Sequence, residues 1–464
     1  MNMIKSRSYP WLCVLVLVPV LGYAKGGEIE SALRAAIEAA HQANVAAQRA
    51  NDAAHAAESE TARLREQLAQ LQARVASQEK RISKQTNLAA SPTSDLQVAS
   101  HGDGIKFASA DGSAKFHVGG RIMADTAIYN DDRSNLGNGA ELRRARLFLA
   151  GTVYENWQFK GQYDFAGNKV AIKDAYLRYN GWPVQITLGN HHEPFGLEEL
   201  TSSKYITFME RGLPGVFSPS RNFGLSAGAH GRQWSARAGI FGKGINNTTG
   251  GDEGYGFTGR VTYAPILQKQ HSLHFGAAFS HRDFGDVGTT KFRERAESHI
   301  TEVRLINTGT LADADSMNLL GLETAAVLGP FSVQSEYTHA SVNRNAGSAN
   351  ADFSGWYAYA SWFLTGESRA YNGKSGTFGR VHPKTRAGID GIGAWELGLR
   401  YSELDLSDAD VFGGQQKDLT LGLNWYLAPS IRLMANYVKV LQVQGGPNDN
   451  DEPSVFQLRG QIDF

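Results

Sequence analysis

The chain has 464 residues and carries 46 Lys+Arg against 46 Asp+Glu, so its formal net charge is zero. That balance argues against a general nucleic-acid binder, which needs a basic excess, and the length leaves room for more than one structural unit. Glycine is high at 51, aromatics make up 10% and mean hydropathy is -0.34. No stretch past residue 24 holds the ~20 consecutive apolar residues of a membrane-crossing helix. This composition fits a barrel that is wet on one side and lipid-facing on the other, and equally a large soluble β protein.

The first element is a leader. Lys5 and Arg7 precede an apolar run from Trp11 to Leu21, and Gly22 and Ala24 supply small residues at the usual cleavage positions, so residues 1–24 read as a secretory signal peptide. The run is too short to stay as an anchor helix. The single cysteine, Cys13, precedes most of the apolar run, unlike a lipoprotein cysteine, and its loss with the leader excludes disulfides and Cys-based zinc sites from the mature chain.

Small and apolar residues then recur at alternating steps of 4 and 3. They run through Ile29, Leu33, Ala36, Ala40, Ala43, Ala47, Ala50, Ala54, Ala57, Thr61, Leu64, Leu68, Leu71, Val75, Gln78 and Ile82. A 3.5-residue period held this long implies a left-handed coiled coil, so residues 25–90 are expected to form a helical coiled-coil stalk. One long exposed helix is the alternative, because alanine favours helix on its own. Ser91, Pro92, Thr93 and Ser94 end the pattern, and residues 91–104 read as a linker.

Beyond Gly104 the period changes to 2. At the C-terminus Phe456, Leu458, Gly460, Ile462 and Phe464 alternate with Gln457, Arg459, Gln461 and Asp463, one face suited to lipid and the other to water. The pattern repeats down the chain and divides residues 105–464 into sixteen strands. Short connections (Glu155-Asn156, Gly181 to Pro183, His230-Gly231, Gly329-Pro330, Ala428 to Ser430) alternate with long ones at 128–141, 191–221, 243–254, 282–317, 342–352, 403–416 and 442–453. The short ones belong on the periplasmic side. An even count returns both ends to that side, where the stalk would lie. Segment 299–306 also looks like a strand, but counting it breaks the parity, so it is assigned to loop 282–317. The expected fold is therefore all-β: a sixteen-stranded antiparallel transmembrane barrel behind an N-terminal α-helical coiled coil. Turn 364–392 is long for the periplasmic side, and loops 191–221 and 282–317 are also long. Such connections are usually functional or disordered, and here they are long enough to fold into the wide lumen.

Alternation also assigns faces. Ala145, Leu147, Leu149 and Val153 face lipid, so Arg144 and Arg146 face the lumen, with Arg143 outside and snorkelling at the rim. Arg121, Lys160, Arg178, Arg237, Arg260, Arg400, Arg432 and Arg459 point inward, as do Asp125, Asp164, Asp174, Glu336 and Glu396. A lipid-facing cation costs ~2–4 kcal/mol at the midplane, so inward arginine is in part what any such barrel requires. The loop cations are more specific. Lys291, Arg293 and Arg295 alternate with Phe292 and Glu294, and would share one side of an extended segment; loop 191–221 adds Lys204, Arg211 and Arg221. The long turn adds Arg369, Lys374, Arg380, Lys384 and Arg386. Rows or rings of such cations select anions. Bulk charge does not reveal this, since residues 100–464 carry 35 basic and 37 acidic side chains. Placement has to supply any anion preference.

The segments ELRRARLFLAGTVYENWQFKGQYDF (141–165), KDAYLRYNG (173–181), EPFGLEELTSSKYITFMERGLP (193–214), WFLTGESRAYN (362–372), GAWELGLRYSELDL (393–406) and LGLNWYLAP (421–429) occur in this order. Together they resemble the phosphate-selective porin O and P family across the barrel, about residues 105–464. The alanine-rich stalk is not part of the resemblance. It implies a homotrimeric, sixteen-stranded, anion-selective outer-membrane porin, narrowed by inward-folded loops and one periplasmic turn. Phosphate, pyrophosphate or polyphosphate would then diffuse passively along Lys/Arg side chains, with outer-membrane lipid and lipopolysaccharide around the wall. On that basis Lys204, Arg211, Lys291, Arg293 and Arg295 are carried over as pathway residues, alongside inward Arg144, Arg146, Arg237 and Arg260.

Other classes find less support. An enzyme needs a nucleophile and base in reach; His191-His192 beside Glu193 is the nearest candidate, with no matching metal-ligand set, and a solvated strand-end pair is the plainer reading. No catalytic, metal or cofactor site is assigned. The glycines of 102–113 do not join a strand to a helix, so they imply no nucleotide fold, and the acidic tip NDNDE (448–452) reads as a solvated loop before it reads as a cation site. The alternative function is a general or weakly selective porin whose stalk also tethers the outer membrane to peptidoglycan.

Overall fold

A computed structural model describes residues 26–88, 97–101, 104–109, 111–245, 251–345 and 347–464. The leader, Cys13 and Ser91 to Ser94 lie outside the described residues. The chain divides into two compact units, 1–93 and 94–464.

In the first unit one unbroken helix, α1, spans Gly26–Leu88, 63 residues. Its length is about 95 Å at 1.5 Å per residue. Its described large apolar side chains are open: Leu64, Leu68 and Leu71 are each 59% exposed and Val75 52%. A helix of this composition persists because its Ala, Gln, Arg and Glu content has high intrinsic helix propensity.

The second unit is a closed barrel of sixteen antiparallel strands. They are β1 (Lys115–Asn130), β2 (Gly139–Val153), β3 (Trp157–Asp164), β4 (Ala171–Tyr179), β5 (Gln185–His192), β6 (Arg221–His230), β7 (Trp234–Phe241), β8 (Gly256–Leu267), β9 (His271–Asp283), β10 (Ala314–Leu328), β11 (Phe331–Arg344), β12 (Ala351–Phe363), β13 (Ala394–Asp408), β14 (Val411–Ala428), β15 (Ile431–Gln444) and β16 (Ser454–Asp463). β16 closes on β1, with Ser454 opposite Asn130 and Asp463 opposite Arg121, so no strand edge is left open over that length. In β16 Phe456, Leu458 and Ile462 are exposed on the outer wall while Gln457, Arg459, Gln461 and Asp463 are buried inside. Stacked aromatics mark the short-turn end of the wall: Phe331 on Trp362 at 5.5 Å and Trp395 on Trp425 at 5.0 Å, the amphipathic belt of a membrane barrel.

Three details depart from the expectations. Within the stretch read as a linker, Gln97–His101 forms a strand that pairs with Gly104–Ala108, and that second strand continues onto Lys115 to Val118 of β1, past the end of β16. Segment 403–416, read as a loop, is mostly strand, because β13 and β14 run on to a tight turn between Asp408 and Val411. Arg143 does not face outward: the register slips between Met123 and Ala124, leaving Arg143 as the extra residue of a β-bulge. The bulge turns it inward, where Nε and a terminal nitrogen hold Glu210 at 2.8 Å each. Segment 299–306 stays in its loop, where Ile306-Asn307 pairs only with Arg293-Glu294.

The lumen is filled unevenly. Loop 193–220, the turn between β5 and β6, folds inward against β11 to β16, and Phe195, Leu197, Ile206, Phe208, Met209, Leu213 and Phe217 are at most 2% exposed. Its backbone is gripped from the wall: Arg432 donates to the Ile206 carbonyl at 2.9 Å, Asn424 to Thr207 at 2.9 Å and Arg400 to Glu210 at 3.0 Å. Phe208 fits beside Tyr359 and under the Arg400 guanidinium because two wall positions facing it, Gly398 and Gly422, are glycine. A Cβ on Gly398 would lie 3.0 Å from its ring and one on Gly422 3.1 Å. Gly422→Leu is therefore expected to cost ~1–3 kcal/mol of loop packing and to raise single-channel conductance as the loop is displaced; an unchanged conductance in a bilayer would contradict this seat for Phe208.

Candidate functional site

The space that loop 193–220 leaves open lies against β1 to β8. It is a cavity of ≈ 550 Å³ whose lining includes eleven Lys and Arg side chains but only two carboxylates, Asp174 and Glu199. Strand register explains the charge. Inward positions on neighbouring strands place Arg121 directly opposite Arg146, and Arg237 directly opposite Arg260. Like charges in such cross-strand pairs repel. In each pair one member is neutralised: Arg146 by Asp164 at 2.6 Å, and Arg260 by both oxygens of Glu323 at 2.8 and 2.6 Å. The other member meets only neutral groups. Arg121 donates to Ser203 Oγ at 2.7 Å, and Arg237 reaches Gln185 at 3.5 Å. Arg178 follows the same pattern, donating to Thr187 Oγ1 at 3.0 Å and lying over the Tyr176 ring at 5.0 Å. Among the described residues no carboxylate lies within ion-pair distance of these three guanidinium groups.

The remaining wall cations are partly balanced. Asp174 bridges Lys160 at 2.5 Å and Arg221 at 2.7 Å. Lys173 is the extra residue of a bulge between β3 and β4 and faces the same space. Arg144 is 4% exposed, reaches Glu210 only at 4.0 Å and leaves its Nε without a partner.

Long segments close the cavity from two ends. From loop 193–220 come Thr201, Ser202, Ser203 and Arg211; from the turn 364–393 come Lys374, Ser375 and Thr377. The turn is latched upward into the lumen. Arg260 donates to the Ser375 and Gly376 carbonyls at 3.1 and 2.8 Å, the Tyr371 hydroxyl and His274 share a hydrogen bond of 2.6 Å, and Phe378 N donates to Thr201 Oγ1 at 3.3 Å. Loop and turn thus meet at Thr201 and Phe378, and Arg260, paired with Glu323, holds the turn.

The structure brings together some of the residues singled out from sequence and separates others. Arg144, Arg146, Arg211, Arg237 and Arg260 line the cavity. Arg211 is held by Glu199 at 3.0 Å and by the Glu198 and Glu199 carbonyls. Lys204 sits outside that lining, 3.2 Å from Asp463 and over the Tyr205 ring. Lys291, Arg293 and Arg295 lie on loop 284–313. Phe292 between them packs inward on Phe217 and Phe353, which leaves Lys291 and Arg293 exposed, while Arg295 is 3.1 Å from Glu302. None of the three lines the cavity. Inward Arg400, Arg432 and Arg459 are loop anchors: Arg459 binds Asp125 at 2.7 and 2.6 Å and Glu210 at 2.7 Å. Burial alone would raise the Glu210 carboxyl, but Arg143, Arg144 and Arg459 around it hold it well below the usual carboxylate range. His191 and Glu193 are separately engaged, His191 with Gly189 O and Ser226 Oγ, Glu193 with Asn222, Thr258 and Arg282. Among the described residues there is no cluster fit to hold a metal ion.

Glu294 in loop 284–313 is different. Burial pushes its carboxyl up to about 7, against the opposing pull of Arg295 and Arg304. A raised carboxyl is neutral below that pH and negative above it, so its cost to loop packing grows as pH rises from the ordinary range and is complete above about 7. The same ionisation offsets the positive charge of Arg295 and Arg304 beside it. Chloride preference should therefore fall as pH rises through 7, and Glu294→Gln should flatten that dependence. Chloride does not titrate, so the reversal potential in KCl reads the protein alone; an equal slope in both proteins would contradict the assignment.

The family model for phosphate-selective porin O and P matches residues 116–464. The chain is 33% identical over 374 residues to an uncharacterized protein of Caulobacter vibrioides, covering 76% of this chain and 75% of that one. It is 27% identical over 402 residues to Porin O of Pseudomonas aeruginosa, covering 77% and 90%. Among solved structures, the anion-selective porin from Comamonas acidovorans superposes with a TM-score of 0.51 at 15% identity, over 76% of this chain and 100% of that one. At such identity the likeness is one of fold.

Proposed function

Because the chain belongs to the phosphate-selective porin O and P family, we propose that it is an outer-membrane channel for passive diffusion of phosphate and related anions such as pyrophosphate and polyphosphate. The observation that carries the reading is the lining of the cavity, with eleven cationic side chains against two carboxylates. The pathway runs along β1 to β8. Arg121, Arg178 and Arg237 offer charge-assisted hydrogen bonds that no carboxylate among the described residues claims, and Ser202, Ser203 and Lys374 add donors where loop and turn converge. No covalent chemistry is needed; a channel works when anion binding is favourable enough to enter and weak enough to leave. Arg146 and Arg260 contribute field more than contact, since Asp164 and Glu323 occupy their donors. The reading extends to a homotrimer in outer-membrane lipid and lipopolysaccharide, with α1 as a coiled coil on the periplasmic side.

Lys291, Arg293 and Arg295 act in this scheme as an outer collecting row. Replacing all three with alanine should lower anion affinity without changing folding, and the effect should shrink as salt rises, because exposed charges are screened beyond about 8–10 Å. A loss of affinity that persists at 1 M salt would contradict that role. The channel assignment itself is tested in a planar bilayer under a KCl gradient with phosphate then titrated in. A chloride-dominated reversal potential with saturable phosphate block supports it; a cation-selective current without block overturns the substrate and leaves the barrel.

A further inference from the structure

Apart from the barrel unit, α1 carries an apolar stripe that none of the described residues of its own unit covers. Leu64, Leu68, Leu71 and Val75 follow steps of 4, 3 and 4, and each is more than half exposed. In heptad terms Leu68 and Val75 occupy a, Leu64 and Leu71 occupy d, and the alanines from 40 to 57 extend the same seam toward the N-terminus. The flanking positions carry a second, independent pattern. Glu60 is at g and Arg65 at the following e; Gln67 is at g and Gln72 at the following e. In a parallel, in-register pair of helices, g of one copy faces the next e of the other, and such e/g pairs set partner and orientation. Glu60 of one copy then meets Arg65 of the other, and Gln67 meets Gln72. Among the described residues neither Glu60 nor Arg65 forms an ion pair within its own helix, whose recorded pairs are Arg34 with Glu30 and His55 with Glu58.

We propose that the occupant of this stripe is the same helix of another copy of the chain, parallel and in register, with Glu60 and Arg65 fixing the alignment. Direction follows from the anchor. The barrel lies C-terminal to α1 in every copy, and copies whose barrels share one membrane present their helices with the same polarity; this step rests on the outer-membrane reading above. Burying the Leu and Val positions makes residues 64–75 the tight part of the seam. The alanine-rich part allows close approach but buries little per residue.

The sequence has a single cysteine, Cys13, so one introduced thiol is the only one in residues 26–464. The full-length protein carrying Cys13→Ser is oxidised in detergent as Leu64→Cys, at d, and as Ser59→Cys, at f on the far face. The expected result is disulfide-linked pairs from Leu64→Cys and none from Ser59→Cys. In an antiparallel pairing across the same seam Leu64 would face Val75 and would not meet itself, so self-crosslinking also reports direction. Adding Glu60→Arg to Leu64→Cys should reduce the linked fraction severalfold, and adding Arg65→Glu to that should restore it, which a mere loss of helix would not do. Equal linking on both faces, no linking at Leu64→Cys, or failure of the charge swap to rescue each overturns the proposal. So does an unlinked Leu64→Cys protein that co-sediments with peptidoglycan, since the stripe would then belong to the cell wall. Bilayer selectivity of the same variants is independent: loss of anion preference with linking retained would sink the channel reading and leave this one standing.

Discussion

Arg237→Ala should weaken phosphate block of the chloride current by about ten- to a hundredfold, while leaving the heat-unfolding of the barrel unchanged. Arg237 lies directly opposite Arg260 across two strands and meets only Gln185, at 3.5 Å. Removing it orphans no buried carboxylate and relieves a like-charge contact. What is lost is a charged donor to the passing anion, and hydrogen bonds to charged groups contribute ~1.5–3 kcal/mol, which converts to that range at 1.4 kcal/mol per tenfold. Block measured in a planar bilayer, beside thermal unfolding on gels, separates the two readouts. An unchanged block constant would remove Arg237 from the pathway.

Arg459→Met should do the opposite, lowering stability first. Arg459 is 1% exposed and binds both oxygens of Asp125, one oxygen of Glu210 and the Met209 carbonyl. Breaking a buried pair from one side leaves the partner charge uncompensated and costs ~3–5 kcal/mol. Because the same guanidinium holds loop 193–220 to β16, the variant should unfold at lower temperature and show a larger, less anion-selective conductance. The wild-type cluster should resist acid. Glu210 sits well below the usual carboxylate range, so its contribution to stability is present above that range and fades only as pH falls through its lowered value. A variant with wild-type unfolding temperature and conductance would show that the loop is held by its apolar contacts alone.

These two arginines also show what the sequence makes legible. Alternation puts both on the inner face, and it does so because a lipid-facing charge costs more than an inward one. It does not say that Arg459 has acidic partners 249 and 334 positions away while Arg237 has none among the described residues. That distinction depends on where a loop folds and on cross-strand register, neither of which a period of 2 encodes. Strand number was legible for a similar reason: parity excluded segment 299–306, and the structure keeps it in its loop. Arg143 was misplaced because one bulge reverses the face of every residue it precedes, and a run of two arginines reads the same with or without it. The strands through 403–408 and 411–416 were missed because outer positions there, Glu403, Asp405 and Gln415, are polar, with Gln415 donating to Asp405 at 2.6 Å, which hides the lipid-type alternation. For the site, the long loops and the long turn were legible from length alone, whereas the loop 284–313 cations looked more specific than the wall cations that line the cavity.

The central claim is that uncompensated wall cations along β4 to β7 set the sign of the ions that pass. The most direct measurement is the reversal potential under a KCl gradient for the Arg178→Glu, Arg237→Glu double variant beside the wild type. The account predicts a chloride-dominated potential in the wild type and a shift toward, or past, zero in the variant, with folding retained. An equally chloride-dominated potential in both proteins would contradict it and place selectivity elsewhere in the lumen.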